Sequence, residues 1–184
     1  VNDADDLDFE TTTSYDLTVQ VSDGATQTDT EVITITITDV APTVTDTAAS
    51  IAESASANAA VVTVSTTGDD ESLTWSITAG NTDGDSDGQL PFAIGASTGA
   101  ITVNDADDLD FETTTSYDLT VQVSDGATQT DTEVITITIT DVAPTVTDTA
   151  ASIAESASAN AAVVTVSTTG DDESLTWSIT AGNT

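Results

Sequence analysis

Glu31-Val32-Ile33-Thr34-Ile35-Thr36-Ile37-Thr38-Asp39-Val40-Ala41-Pro42-Thr43 decides how the rest of the chain is read, because it returns unchanged as Glu133 to Thr145. Ile33, Ile35 and Ile37 fall on one side and Thr34, Thr36 and Thr38 on the other, the period of a half-buried strand. Pro42 has no N–H to give to a ladder and biases Ala41 toward an extended conformation, so the strand ends there. The stretch is a strand running into a short, stiff seam between domains. The second seam is Asp141-Val142-Ala143-Pro144-Thr145.

Working outward, residues 1–82 are identical to residues 103–184. The chain therefore reads as a piece of a tandem array with a 102-residue period (103 minus 1). That is too long for a solenoid repeat, whose units run about 20–50 residues, and it suits an autonomous domain of about 100 residues with its own core. The expected organisation is the back part of one unit over 1–39, a complete unit over 40–141 and the front part of the next over 142–184. In a crystal, the back part of one chain is expected to complete the front part of a neighbour.

Charge narrows the function. There are 33 Asp and Glu and no Lys, Arg or His. Like charges about 4 Å apart repel by about 1 kcal/mol in water and several-fold more near a protein surface, against a domain stability of only about 5–15 kcal/mol. The acids are also clustered, as in Asn104-Asp-Ala-Asp-Asp-Leu-Asp-Phe-Glu112. With no internal cation, an external one is the simplest remedy, and clustered hard oxygens favour Ca²⁺. Phosphate clamping has no basic residues to use, which argues against nucleic acid and against anionic membrane surfaces. Cysteine is absent, so disulfides do not staple the fold. No apolar run approaches the ~18 residues of a membrane span. Without His, Cys or Lys, a nucleophile or base is hard to assemble, and an enzyme is not expected.

Taken in order, the complete unit reads as seven strands. The first is broken, over 43–45 and 49–52. The others span 60–66, 73–79, 92–94, 100–103, 117–124 and 133–140. Tyr117, Leu119, Val121 and Val123 alternate with polar neighbours, as do Leu73, Trp75 and Ile77. Trp75 and its copy Trp177 are expected in the core, not at a sugar-stacking surface. Short alternating strands with intervening turns predict an all-β, antiparallel Greek-key β-sandwich. Between two of the strands, Asp83-Gly-Asp85-Ser-Asp87-Gly88 has the acid spacing and sixth-position glycine of a calcium loop, but Ile94 stands where the twelfth-position Glu would be. The loop either binds Ca²⁺ with help from Asp105 or Asp107, or is a solvated turn.

The ordered set Ile51-Ala-Glu53, Trp75-Ser-Ile77, Phe92-Ala-Ile94, Thr98-Gly99-Ala-Ile101, Leu109-Asp-Phe-Glu112, Tyr117 to Asp125 and Asp141-Val-Ala-Pro144 resembles a cadherin repeat across the whole unit. Exact copies, absent bases and Thr/Asp richness resemble the bacterial type, the extender repeats of large calcium-dependent RTX-type surface adhesins. The resemblance implies Ca²⁺ at the junctions between units. Carried over by motif, Glu53, Asp110, Glu112 and Asp141 contribute from below one seam, with Asp171 and Asp172 from above. Asp8, Glu10 and Asp39 lie below the other, with Asp69, Asp70 and Asp125 above. The family's Asp-x-Asn-Asp-Asn linker is reduced here to Asp-Val, which implies one or two ions per seam instead of three.

The function so implied is structural: a secreted, cell-surface spacer, its neighbours being identical units of the same chain, that holds an adhesive tip away from the cell. The alternative is a module in which each unit binds carbohydrate or another copy of itself. An exposed aromatic cluster would favour that alternative, and the sequence offers none.

Overall fold

Alternating sequence becomes strand across the complete unit of the computed structural model, which describes residues 1–3, 6–68, 72–126, 129–170 and 175–182; the same alternation over 176–181 does not. A hairpin of β1 (Ser14–Ser22) and β2 (Thr28–Thr36) precedes the complete unit. That unit comprises β3 (Thr43–Val44), β4 (Ala49–Ala52), β5 (Ala60–Thr63), β6 (Thr66–Thr67), β7 (Thr74–Ala79), β8 (Phe92–Ile94), β9 (Ala100–Val103), β10 (Ser116–Ser124) and β11 (Thr130–Thr140). β12 (Thr145–Val146) and β13 (Thr168–Thr169) follow. The architecture is an all-β sandwich with no helix among the described residues. One layer has the order β4-β11-β10-β7 and the other β5-β9-β8, with β3 and β6 paired beside them.

Two details differ from the sequence expectation. The sandwich is not antiparallel throughout, because β4 pairs with β11 in parallel, Ile139 opposite Ile51. First and last strands of a unit entered at one end and left at the other run the same way, so their contact has to be parallel. The second strand, expected as one piece over 60–66, divides into β5 and β6. Val64 turns into the core between them, and its N–H donates to Gly99 O at 3.0 Å. Gly99 fits only as glycine: its φ is +64°, and a Cβ there would lie 2.6 Å from Val64 O and 3.1 Å from the Trp75 ring.

The identical copies isolate what packing adds to pattern. In the complete unit Ile135 and Ile137 are 0% exposed, whereas their copies Ile33 and Ile35 in β2 are 49% and 45% exposed. The β1–β2 register, Leu17 opposite Ile33 and Tyr15 opposite Ile35, reproduces that of β10 and β11. Pairing is therefore local, and burial needs the second layer. The same reason corrects the expectation for Trp177, which is 54% exposed while Trp75 is 6% exposed. Among the described residues of the front piece the strands are β12 and β13, and no second layer covers Trp177 there.

Tyr117 closes the corner between the layers. Its ring meets Phe92 edge-on, 5.2 Å between centroids, and its hydroxyl donates to Asp108 O at 2.7 Å. Tyr15 repeats the bond to Asp6 O at 2.6 Å. Burial, with the Asp108 charge second, holds the Tyr117 phenol above its ordinary pKa. Tyr117→Phe keeps the packing and strands one buried carbonyl, so we expect it to destabilise the unit by about 1–2 kcal/mol. Chemical denaturation followed by Trp75 fluorescence measures this. No change would mean that the corner is held by packing alone.

Candidate metal centres

The seam is built by docking the linker onto the unit that follows it. Pro42 and Val44 are buried there, and Val44 N–H donates to Asp131 Oδ2 at 2.8 Å. Gly68, at φ +93°, passes so close beneath the linker that a Cβ would stand 2.6 Å from Ala41 O. On the near side, Ile37 N–H donates to Thr13 O at 2.9 Å, which carries the hairpin pairing up to the linker. Asp39 is thereby fixed between two bodies.

This arrangement gathers three carboxylates from three segments. Glu10 comes from the turn before β1, Asp39 from the linker and Asp125 from the end of β10. One oxygen of each lies within 4.8 Å of the others. Two oxygens on opposite sides of a Ca²⁺ with bonds of about 2.4 Å are about 4.8 Å apart, so the cluster has the dimensions of a calcium shell. Asp39 Oδ1 is buried with no hydrogen-bond donor among the described residues. A buried carboxylate oxygen in that position costs free energy unless a cation or donor meets it, and the chain has no basic residue to do so. The donor set, all hard oxygens, fits Ca²⁺.

The other expected seam residues sit differently. Asp8 caps its own turn, accepting Thr11 N–H at 2.9 Å and Thr11 Oγ1–H at 2.6 Å, and Asp110 does the same for Thr113. At the lower seam Glu53 accepts Phe111 N–H through Oε2 at 3.0 Å and Val142 N–H through Oε1 at 2.5 Å, tying the unit to its outgoing linker. Glu112 and Asp141 are exposed there, whereas their copies Glu10 and Asp39 are half-buried. Asp69, Asp70, Asp171 and Asp172 lie outside the described residues.

A second gathering of acids lies within the unit. The loop after β7 is closed at its base by Asn81, whose amide donates to Phe92 O at 2.7 Å and accepts Phe92 N–H at 3.1 Å. Asn104 holds the facing segment through Leu90 O at 2.7 Å. Inside the loop Asp83 accepts Ser86 and Gly88 N–H, and Asp85 accepts Asp87 N–H. Asp83, Asp85 and Asp108 form one group of converging oxygens and Asp85, Asp87 and Asp105 another. The helper named from sequence, Asp105, is in place. Asp107 is in neither group, and Asp108 was missed.

Charge is crowded here. For Asp85 the Asp87 N–H pulls the pKa down, but desolvation and the charges of Asp87, Asp108 and Asp83 outweigh it, so the net shift is upward. Asp87 is shifted downward, by the Gln89 side chain first and the Gln89 N–H second.

Comparison with known proteins agrees with this geometry. The chain resembles several cadherin ectodomain structures. Against mouse clustered PcdhgC3 EC1-3 it is 27% identical with a TM-score of 0.52, covering 73% of this chain and 46% of that one. Against protocadherin gamma B2 extracellular cadherin domains 1-5 it is 26% identical with a TM-score of 0.50, covering 76% and 28%. Domains 3-6 of protocadherin gamma B2 share the fold at 21% identity and a TM-score of 0.53, covering 76% and 36%. The chain thus spans less than half the length of these structures. Compared with curated protein sequences, it has no significant match. The Cadherin domain profile matches residues 47–140, about half of the chain and nearly all of the complete sandwich. The layered strands, the acid-lined seam and that match agree, and the chain belongs to the cadherin domain family.

Proposed function

We propose that this chain is a structural extender: a tandem run of cadherin-like units, stiffened by Ca²⁺ at each seam, in a secreted bacterial surface adhesin of the RTX type. The observation that carries the reading is the seam cluster, in which Glu10 and Asp39 from one unit meet Asp125 from the next within 4.8 Å. Acids from two bodies sharing one ion turn mutual repulsion into a joint. Glu53 ties the lower linker to the same unit, so both ends of the unit are prepared for a neighbour.

Exact copies and the absence of basic residues support the bacterial assignment, and the protocadherin ectodomain likeness supports an extracellular, adhesion-related and non-enzymatic role. No described helix is long and apolar enough to cross a membrane. The principal partner is the next identical unit, placed end to end. Nucleic acid is not a partner in this reading.

Small-angle scattering on chains of two, three and four units tests it. Each unit adds roughly 35–45 Å, from strands of about nine residues at ~3.3 Å each plus loops. In calcium the maximum dimension grows linearly with unit number, and in EGTA it contracts or broadens. Glu112→Ala with Asp141→Ala at every seam, the copies of Glu10 and Asp39, reproduces the contraction in calcium. A double variant as straight as the parent would show that packing alone stiffens the seam.

A further inference from the structure

We propose that the loop Asp83–Gly88 and the segment Asp105–Asp108 form a calcium centre inside the body of the unit, separate from the seam and independent of the seam reading. The loop alone is three exposed or half-exposed acids and would carry nothing. What changes its meaning is the segment it closes against. Asp105 is 7% exposed and Asp108 4% exposed, and Oδ2 of each is buried with no hydrogen-bond partner among the described residues. Their other oxygens are committed to backbone: Asp108 Oδ1 accepts Gly84 N–H at 2.6 Å and Asp85 N–H at 3.2 Å, and Asp105 Oδ1 accepts Asp107 N–H at 3.1 Å. Each buried aspartate belongs to a group of oxygens within 4.8 Å of one another, and Asp85 belongs to both groups.

Two buried carboxylate oxygens without donors, beside three more acids, have one remedy that the chain's own residues cannot provide. A hard cation fits the all-oxygen donor set. Ca²⁺ fits it better than Mg²⁺, which demands a smaller, octahedral, mostly hydrated shell. In sequence the loop lacks its twelfth-position acid, where Ile94 stands. In space Asp105 and Asp108 take the place of that acid, arriving from the other crossover. The loop joins β7 in one layer to β8 in the other, and the Asp105–Asp108 segment joins β9 back to β10. An ion between them therefore clamps both crossovers at one end of the sandwich, beside the Tyr117 corner.

Residues 83–102 occur once in the sequence, so the amide resonances of Gly84, Ser86 and Gly88 report this centre alone. The full chain, stripped of metal and titrated with CaCl₂, is expected to move those resonances to a new, saturable position, while NaCl at the same ionic strength does not. Asp105→Asn with Asp108→Asn retains the backbone hydrogen bonds and removes two charges. It should weaken calcium binding at these amides by about tenfold or more, since affinity follows ligand charge. The seam pair Glu10→Gln with Asp39→Asn should leave their titration unchanged. In EGTA the Asp105/Asp108 variant should be at least as stable as the parent, because repulsion is relieved. If that variant does not fold, Asp83→Asn with Asp87→Asn, confined to the loop, gives the same readout. Amides that respond equally to both salts, or that titrate as before in the variants, would show a solvated turn and overturn the proposal.

Discussion

Ile137→Ala is expected to destabilise the complete unit by about 3–4 kcal/mol, while the same change at Ile35 shifts its unfolding by less than about 1 kcal/mol. The two residues have identical neighbours in sequence and opposite fates in space. Ile137 sits in β11 under the β5-β9-β8 layer at 0% exposure, opposite the buried Tyr117, and removing it leaves a cavity that the close-packed sandwich cannot collapse. Ile35 is 45% exposed on an uncovered hairpin. At roughly 4–8 °C per kcal/mol for a domain of this size, Ile137→Ala lowers Tm by about 12–30 °C. Thermal unfolding followed by Trp75 fluorescence separates the cases. Equal shifts from both substitutions would mean that the hairpin unfolds as one cooperative body with the complete unit.

That contrast also shows what the sequence makes legible and what it does not. Strand positions in the complete unit were readable from period-2 alternation, yet alternation alone does not make a strand: Thr74–Ala79 is one and the identical residues 176–181 are not. Tyr117 to Val123 alternate in sequence and in burial alike, and the seam was readable from Pro42. What no local pattern carries is the company a strand keeps. Ile33 and Ile135 are one sequence in two environments, and Trp75 and Trp177 differ for the same reason. The parallel β4–β11 contact and the inward turn of Val64 arise from how the chain crosses between layers, which alternation does not encode.

The acids divide similarly. Spacing picked out Asp83, Asp85 and Asp87 because a loop ligand set is contiguous. Asp105 and Asp108 sit in a run so dense in acids that spacing cannot choose among them. Burial distinguishes them, Asp105 at 7% and Asp108 at 4% exposure, and spacing does not record burial. Motif resemblance placed Glu10, Asp39 and Asp125 at one seam, and the structure brings one oxygen of each together. The same reasoning treated Asp8 as their equal, yet its carboxylate is turned onto Thr11.

Calcium is expected to raise the Tm of this chain by roughly 8–32 °C, far beyond what NaCl achieves at equal ionic strength. With Kd values of about 10⁻⁴–10⁻³ M for extracellular calcium modules, millimolar Ca²⁺ stabilises the folded state by about 1–2 kcal/mol per site. One seam centre and one body centre together contribute about 2–4 kcal/mol, a large share of the stability of a single domain, and about 4–8 °C follows from each kcal/mol. Screening cannot imitate this. The buried oxygens of Asp39, Asp105 and Asp108 are out of reach of diffuse counterions, and a few millimolar of salt leaves a Debye length of tens of ångströms. The gain should divide by site: Asp39→Asn removes the seam share, Asp105→Asn with Asp108→Asn the body share, and the triple variant melts at one temperature in calcium and in EGTA. Parent melting curves that respond identically to CaCl₂ and NaCl would reduce all these acids to a solvated surface. A triple variant that keeps the calcium gain would place the ions elsewhere on the unit.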